Sequence, residues 1–475
     1  MGKATVFEWI DENEAQLRAL AQRIWETPEL GLHEEQSAAA LIDALEAAGF
    51  DVERGIGDMP TAFVATYGTG DPTIGILGEF DALPGLSQAV SAEREPIEEG
   101  APGHGCGHNL FGTAGVGAAI GVARAIDEGE ATGTIEFYGC PAEETLVGKV
   151  YMARAGAFDE LDAALTWHPG TISTPKLGSS NALNSLTFTF EGEAAHAAAA
   201  PDSGRSALDA VELLNTGVEY MREHISDDAR LHYVITDGGD APNVVPAEAT
   251  VWYYVRAPER EEVERNTAWL RDIADSAAAM TQTEVSERFL TGCYDYRPNG
   301  VVTDVIWRNM DAVGAIDYDD DDRAFAAELK ATVPADRIES DLADVPEDVY
   351  DAAREEPLYA EPVEAFDRGD QTGGSTEVGD VSWITPTGQF TAATWAVGTP
   401  LHSWQAVAAN GDFGQKAVAF AAKTLGGAAY DLLTDPELVD AATEEFEAEI
   451  GSGAYETPLP EEATPPFDMT KMGSD

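Results

Sequence analysis

Residues 73–80, TIGILGEF, are an apolar run closed by Asp81, and residues 109–127, NLFGTAGVGAAIGVARAID, follow as a helix of small residues. Two more short apolar runs, 134–138 (TIEFY) and 163–167 (AALTW), continue a strand–helix alternation. Apolar strands that alternate with helices predict an α/β fold, a mostly parallel sheet flanked by helices on both faces. In such sheets the ligand site lies beyond the carboxyl ends of the strands. Asp81, the pair Glu143 and Glu144, and His168 each fall after one of these strands. Upstream, Ile10, Leu17, Leu20 and Ile24 share one face of an amphipathic helix, and Leu41, Leu45 and Ala48 mark a second after a break at Pro28.

Downstream the period changes. Leu186, Phe188 and Phe190 alternate with polar residues, as in a half-exposed strand. A helix over 206–224, strands over 231–236 and 250–255, a helix over 259–280 and a strand over 283–289 give the order β-α-β-β-α-β, the ferredoxin-like split motif. Residues 185–296 thus read as a compact α+β domain inserted into a discontinuous one, 1–184 with 297–475, and a length of 475 residues suits two domains. The acidic run 317–322 lacks the spaced ligands and Gly of a calcium loop and reads as a solvated loop. The Pro- and Glu-rich stretch after Tyr455 reads as poorly ordered.

The chain carries 27 Lys and Arg against 87 Asp and Glu, a formal net charge of −60, with the acids spread along its length. Charge of this size repels itself unless concentrated salt screens it, which predicts a protein of a salt-loaded cytoplasm. It disfavours nucleic acid as a partner, because phosphate binding needs a basic surface. The first residues show no basic segment followed by an apolar one, and the most apolar stretch, 110–126, is short and Gly-rich for a bilayer span. A soluble, cytoplasmic protein with no membrane contact is expected. Three cysteines, Cys106, Cys140 and Cys293, are too few for a disulfide framework.

Five short motifs carry the chemistry: GHGCGHN at 103–109, PAEE at 141–144, WHP at 167–169, AHA at 195–197 and PLHSW at 400–404. Cys106 and His108 lie in a Gly-rich turn before the small-residue helix, where a pliable backbone lets a thiolate and an imidazole reach one dinuclear centre. His104 would crowd that centre and is assigned a positioning role. Glu143 and Glu144 end a strand, so their side chains diverge; one is free to ligate a cation while its neighbour faces the substrate as a general base. His168 at a strand end and His402 in a remote turn add imidazoles. Each motif alone has a plain structural reading: a buried Cys beside a capping His, a Glu pair at a helix start, a satisfied His. Five in this order point to a two-metal hydrolase.

With these motifs, and with TPELG at 27–31, EFDALP at 79–84, NVVPA at 243–247 and GSTEVGDVSW at 374–383, the chain resembles the M20 family of metallopeptidases and amidohydrolases. The resemblance covers nearly the whole chain and is to the branch that contains the B-type subunit of p-aminobenzoyl-glutamate hydrolase and the Xaa-Arg dipeptidases. It implies a zinc-peptidase-like fold whose inserted domain is a lid and dimerisation domain. It implies Cys106, His108, Glu144, His168 and His402 as ligands of two divalent ions, Zn or Mn, with Glu143 as the general base. His196 would project from the lid over the active site of the other protomer of a homodimer and stabilise the oxyanion. Asn243, on the loop between the two central strands of the lid, and Arg256 would orient the substrate carboxylate.

The implied substrate is the amide of a small N-acyl or aryl amino acid, or a dipeptide, and a paired A-type subunit is a further implied partner. Two alternatives stand beside this: an aminoacylase with a different acyl pocket, and a non-catalytic subunit of a two-chain hydrolase. The chain departs from the family's peptidase branch, which has His-x-Asp where this one has Glu79-Phe80-Asp81; Asp81 is left to orient a ligand imidazole. Asn109 stands where many aminoacylase-like members have Asp, and Cys140 replaces a common Gln.

Overall fold

The computed structural model describes residues 2–450 and 455–469. Among them, eleven strands follow in chain order: β1 (Asp51–Arg54), β2 (Phe63–Thr69), β3 (Thr73–Glu79), β4 (Gly133–Cys140), β5 (Ala163–Gly170), β6 (Thr174–Lys176), β7 (Ala182–Glu191), β8 (Arg230–Asp237), β9 (Glu248–Ala257), β10 (Glu284–Cys293) and β11 (Thr387–Ala393). Contacts divide the chain into two compact units. Met1–Gly178, Arg297–Asp370 and Val381–Tyr455 form the first; Ser179–Tyr296, Gln371–Asp380 and Glu456–Asp475 form the second. A single insertion over 185–296 would leave and re-enter the first unit once. Here the residues around 371–380 and those after 455 also fold with the second unit.

The first unit is built on a seven-stranded sheet in the order β1-β2-β4-β3-β5-β11-β6. β4, β3, β5 and β11 run parallel, and antiparallel neighbours close both ends. β3 is buried from Ile74 to Glu79, which explains its unbroken apolar sequence. Ile74 and Ile76 join one large cluster with Leu17, Val116 and Leu425 from the helices Gly2–Glu26, His108–Asp127 and Ala417–Thr434. Small residues let His108–Asp127 approach the sheet: a Cβ on Gly112 would stand 2.8 Å from the Glu79 carbonyl oxygen.

Three expectations are corrected. His108–Asp127 has 20 residues and is long and apolar enough to cross a membrane, but 89% of its apolar window is buried inside the unit, so packing and not shortness accounts for it. The acidic run is a helix start: Asp319 caps Asp320–Lys330 in a capping box with Asp322, and Lys416 Nζ lies 2.6 Å from Asp319. Carboxylates there satisfy free amides at the positive end of the helix dipole. After Tyr455 the described residues are packed, with Leu459 and Met469 buried and Asp468 paired to both guanidinium nitrogens of Arg288 at 2.7 Å.

In the second unit the sheet order is β10-β7-β9-β8, antiparallel throughout, with helices Ala207–Met221 and Arg260–Thr281. This is the ferredoxin-like arrangement. Leu186, Phe188 and Phe190 of β7 and Val251, Tyr253 and Val255 of β9 form its core with Val211, Leu214 and Leu270 of the helices. Ser206 caps the first helix by accepting the Asp209 amide at 3.1 Å. β8 is an edge strand, so the loop that carries Asn243 joins an edge strand to an inner one, not two central strands.

Candidate metal centre

The four parallel strands deliver the centre at their carboxyl ends. β3 ends at Glu79, two residues before Asp81; β5 holds His168 near its end; β4 leads to Glu143; from β11 the chain reaches His402, whose φ is 55°. His108 is the first residue of its helix, not part of the preceding turn, and its N-cap is Gly107. Gly is required there: φ is 82°, and a Cβ would stand 2.7 Å from Pro169 Cγ.

Glu143 and Glu144 do not end a strand. β4 stops at Cys140, and the two acids lie in the single-turn 3-10 helix Glu143–Thr145, bracketed by Ala142 at φ 56° and Leu146 at φ 59°. Left-handed backbone costs a residue with a Cβ about 1–2 kcal/mol, so the turn needs braces. Two buried carboxyls supply them. Glu34 Oε1 accepts the Ala142 amide at 2.8 Å while its Oε2 accepts the Thr61 hydroxyl at 3.0 Å. Asp81 Oδ2 accepts the Glu144 amide at 3.0 Å.

The side chains then converge. His108 Nδ1 lies 2.8 Å from Asp81 Oδ1, which turns Nε2 toward Glu79 Oε2 at 3.3 Å and Glu143 Oε2 at 3.9 Å. His168 Nδ1 donates to the Pro169 carbonyl at 2.7 Å, leaving the Nε2 lone pair facing Cys106 Sγ at 3.2 Å. His402 Nε2 lies 3.3 Å from Glu144 Oε2. Three groups of donor atoms each fall within 4.8 Å of one another: Cys106, His108 and His168; Cys106, Glu144 and His402; Glu79, His108 and Glu143. His108 Nε2 and Glu144 Oε1 are buried with no hydrogen-bond partner among the described residues. Orphaned donors beside a thiol and two further imidazoles are what a cation would satisfy.

Electrostatics agree. Burial pushes the Cys106 thiol and the Glu144 carboxyl well above their ordinary ranges. Glu143 is pushed up to about 7 by burial and then by Glu79, and burial holds His168 down to about 4. Burial would also raise Asp81, but the adjacent His108 holds it below the usual carboxylate range. Glu79, Asp81, Glu143, Glu144 and the Cys106 thiol gather here, and the ammonium of Lys149, fully buried, lies 2.6 Å from Glu79 Oε1. So many acidic groups gathered in one buried place favour a bound cation. His104 is fully enclosed, its Nε2 3.1 Å from the Ile24 carbonyl; burial takes it down to about 3, and it stands in none of the three donor groups.

The remaining predicted residues lie in the second unit. His196 is exposed, and its Nδ1 accepts the Ala198 and Ala199 amides at 3.3 and 3.2 Å, so the ring proton sits on Nε2. The Asn243 carbonyl accepts the Ala197 amide at 3.0 Å, which places Asn243 beside His196. Arg256, near the end of β9, donates Nη1 to the Gly373 carbonyl at 3.2 Å. Sequence reasoning missed Glu79, Lys149 and Glu34. The only signal for Glu79 was that it fills the slot of the peptidases' His; Lys149 and Glu34 carry no motif.

Residues 179–281 match the model of the peptidase dimerisation domain of M20 enzymes. The chain is 40% identical over 460 residues to the B-type subunit of p-aminobenzoyl-glutamate hydrolase of Escherichia coli, covering 94% of this chain and 95% of that one. It is 32% identical over 326 residues to the Xaa-Arg dipeptidase of Mus musculus, covering 66% and 72%. A dinuclear metal-binding M20 peptidase of Bacillus subtilis shares the fold, with a TM-score of 0.55 at 16% identity over 89% of this chain and 99% of that one. Full-length similarity at this level assigns the family: the chain belongs to the M20 metallopeptidases and amidohydrolases, in the branch of the p-aminobenzoyl-glutamate hydrolases.

Proposed function

We propose that the chain hydrolyses the amide bond of a small N-acyl or aryl amino acid, or of a dipeptide, in the manner of p-aminobenzoyl-glutamate. The observation that carries this reading is the convergence of Cys106, His108, Glu144, His168 and His402 around unpartnered donor atoms, with Glu143 beside them. Cys106 and His108 each belong to two of the donor groups and would be among the residues that hold the cations. When bound, the cations supply Lewis acidity that acidifies water and polarises the scissile carbonyl. The sulfur and imidazoles suit zinc and the carboxylates accept manganese.

Glu143 is the base. It is the more open of the carboxyls around His108, at 13% exposure against 2% for Glu79, so it meets water while Glu79 does not. It takes a proton from the attacking water, whose oxygen bonds to the amide carbon, and returns that proton to the nitrogen as the C–N bond breaks. A carboxylic acid, which then gives up its proton to solvent, and an amine leave. In a dimer, His196 would offer its Nε2 proton to the oxyanion in the active site of the other protomer, and Asn243 and Arg256 would orient the substrate carboxylate.

Dimerisation through the second unit is part of the proposal. Tyr233, Val234 and Ile235 of the edge strand β8 are 39–53% exposed, and Leu213 and Tyr220 on helix Ala207–Met221 are exposed as well. Such an apolar edge suits a second copy or a paired A-type chain. The test is hydrolysis by the purified chain alone in molar salt with zinc or manganese, against p-aminobenzoyl-glutamate, acyl-amino acids and dipeptides. Activity lost in Glu143→Ala with metal retained supports the reading; a metal-loaded chain inert toward the whole panel overturns it.

A further inference from the structure

Glu79 has no assigned part in the reading above, yet its carboxylate is 2% exposed and its two oxygens have different surroundings. Oε1 is 2.6 Å from Lys149 Nζ, on a helix, Gly148–Arg154, that is buried from Gly148 to Ala153. Among the described residues Oε2 has no hydrogen-bond partner, and it lies 3.3 Å from His108 Nε2, which has none either. Because Asp81 faces His108 Nδ1, a His108 whose Nε2 is free to ligate turns a lone pair toward a second lone pair on Glu79. Two buried acceptors held that close repel unless a positive group lies between them. A cation bound by His108 would meet both.

We propose that Glu79 Oε2 is an additional ligand for the cation held by His108, with Lys149 compensating the second oxygen. This rests on the metal-centre reading. The set around that cation becomes Cys106, His108, His168 and Glu79, so the carboxylate occupies the place left by the missing histidine of Glu79-Phe80-Asp81. Lys149 explains how a further acid is tolerated there: it is a counter-charge inside the protein, 2.6 Å from the other oxygen of Glu79.

The experiment measures bound zinc or manganese by mass spectrometry and by titration after chelation, for the whole chain and for Glu79→Gln and Lys149→Met, in molar salt. The wild type is expected to take up two ions. Glu79→Gln should weaken one of them about tenfold or more and leave the other within about twofold. Lys149→Met should keep both ions and gain a larger thermal shift on metal addition than the wild type, because only the cation then neutralises Glu79. A Glu79→Gln chain that binds both ions as tightly as the wild type overturns the proposal, as does a Lys149→Met chain whose metal-induced shift is unchanged. The second measurement decides alone where Glu79→Gln does not fold. A wild-type chain that binds no ion refutes the metal-centre reading itself, a separate result.

Discussion

Asp81 joins two parts of the centre at once: Oδ1 faces His108 Nδ1 at 2.8 Å and Oδ2 accepts the Glu144 amide at 3.0 Å. A single carboxylate thus sets the tautomer of one predicted ligand and the backbone of another. Asp81→Asn replaces one acceptor with an NH2 group that clashes with a donor or forces the proton of His108 onto Nε2. Metal affinity is expected to fall about 10–100-fold while the fold persists. Equilibrium dialysis against a chelator series checks it, and wild-type affinity in the variant would refute the role.

The base should be visible in the pH profile. Without cations Glu143 is pushed up to about 7, chiefly by burial, and bound cations pull it back down. A base must be ionised to work, so kcat/KM should rise with pH along an acid limb whose midpoint lies below about 7, and flatten above it. Steady-state rates across pH at fixed salt show this. A rate that falls over the same interval would assign the wrong group.

Glu34 makes a separate prediction about stability. Burial and then Asp81 push it up from 4.5 to about 8, so between these values the folded chain binds more protons than the unfolded one. The slope of stability with pH is then negative: its contribution is present below the unfolded value and is lost as pH rises toward 8. Glu34→Gln keeps an acceptor for the Ala142 amide and removes the titration. In chelator-treated protein, the stability of the variant relative to wild type should grow from pH 5 to about pH 8, measured by denaturant unfolding; a constant difference rejects it.

A net charge of −60 makes salt a structural variable. Raising salt from about 0.1 M to 1 M shortens the screening length from about 10 Å to 3 Å. Thermal midpoints are expected to climb steeply over that range, and activity to recover with them. Equal stability in dilute buffer and molar salt, by calorimetry, would contradict the screening argument.

The β8 edge tests the assembly. Val234→Lys places a charge on an exposed apolar strand and leaves the core of the unit untouched, since Val234 is 53% exposed. Light scattering in high salt should show a smaller assembly for the variant, with near-identical far-ultraviolet circular dichroism. No change in mass would place the interface elsewhere.

The alternation of apolar strands and helices from 73 to 167 revealed the parallel centre of the sheet, because strands buried on both faces must be apolar throughout. β1, β2, β6 and β11 escaped notice: β1 and β6 are short, and the seven-residue β2 and β11 follow no clean period. The five predicted ligands were readable as residue types in motifs, and the folded chain gathers them. The turn around Glu143 was not readable, since left-handed Ala142 and Leu146 break local preference and are held by Glu34 and Asp81 from distant segments. Lys149 was hidden for the same reason. A buried ion pair is legible only once both partners are located, and Glu79 lies seventy residues upstream.

The three-part composition of the second unit has a consequence for biosynthesis. Its sheet and both helices are complete once Tyr296 has been made, but Gln371–Asp380 and the buried Leu459 and Met469 are added much later. A nascent chain would therefore carry an almost finished but open α+β body while a further 170 or so residues leave the ribosome, with apolar seats waiting for their last occupants. Shortening the chain at about residue 455 should yield a protein that folds yet clumps.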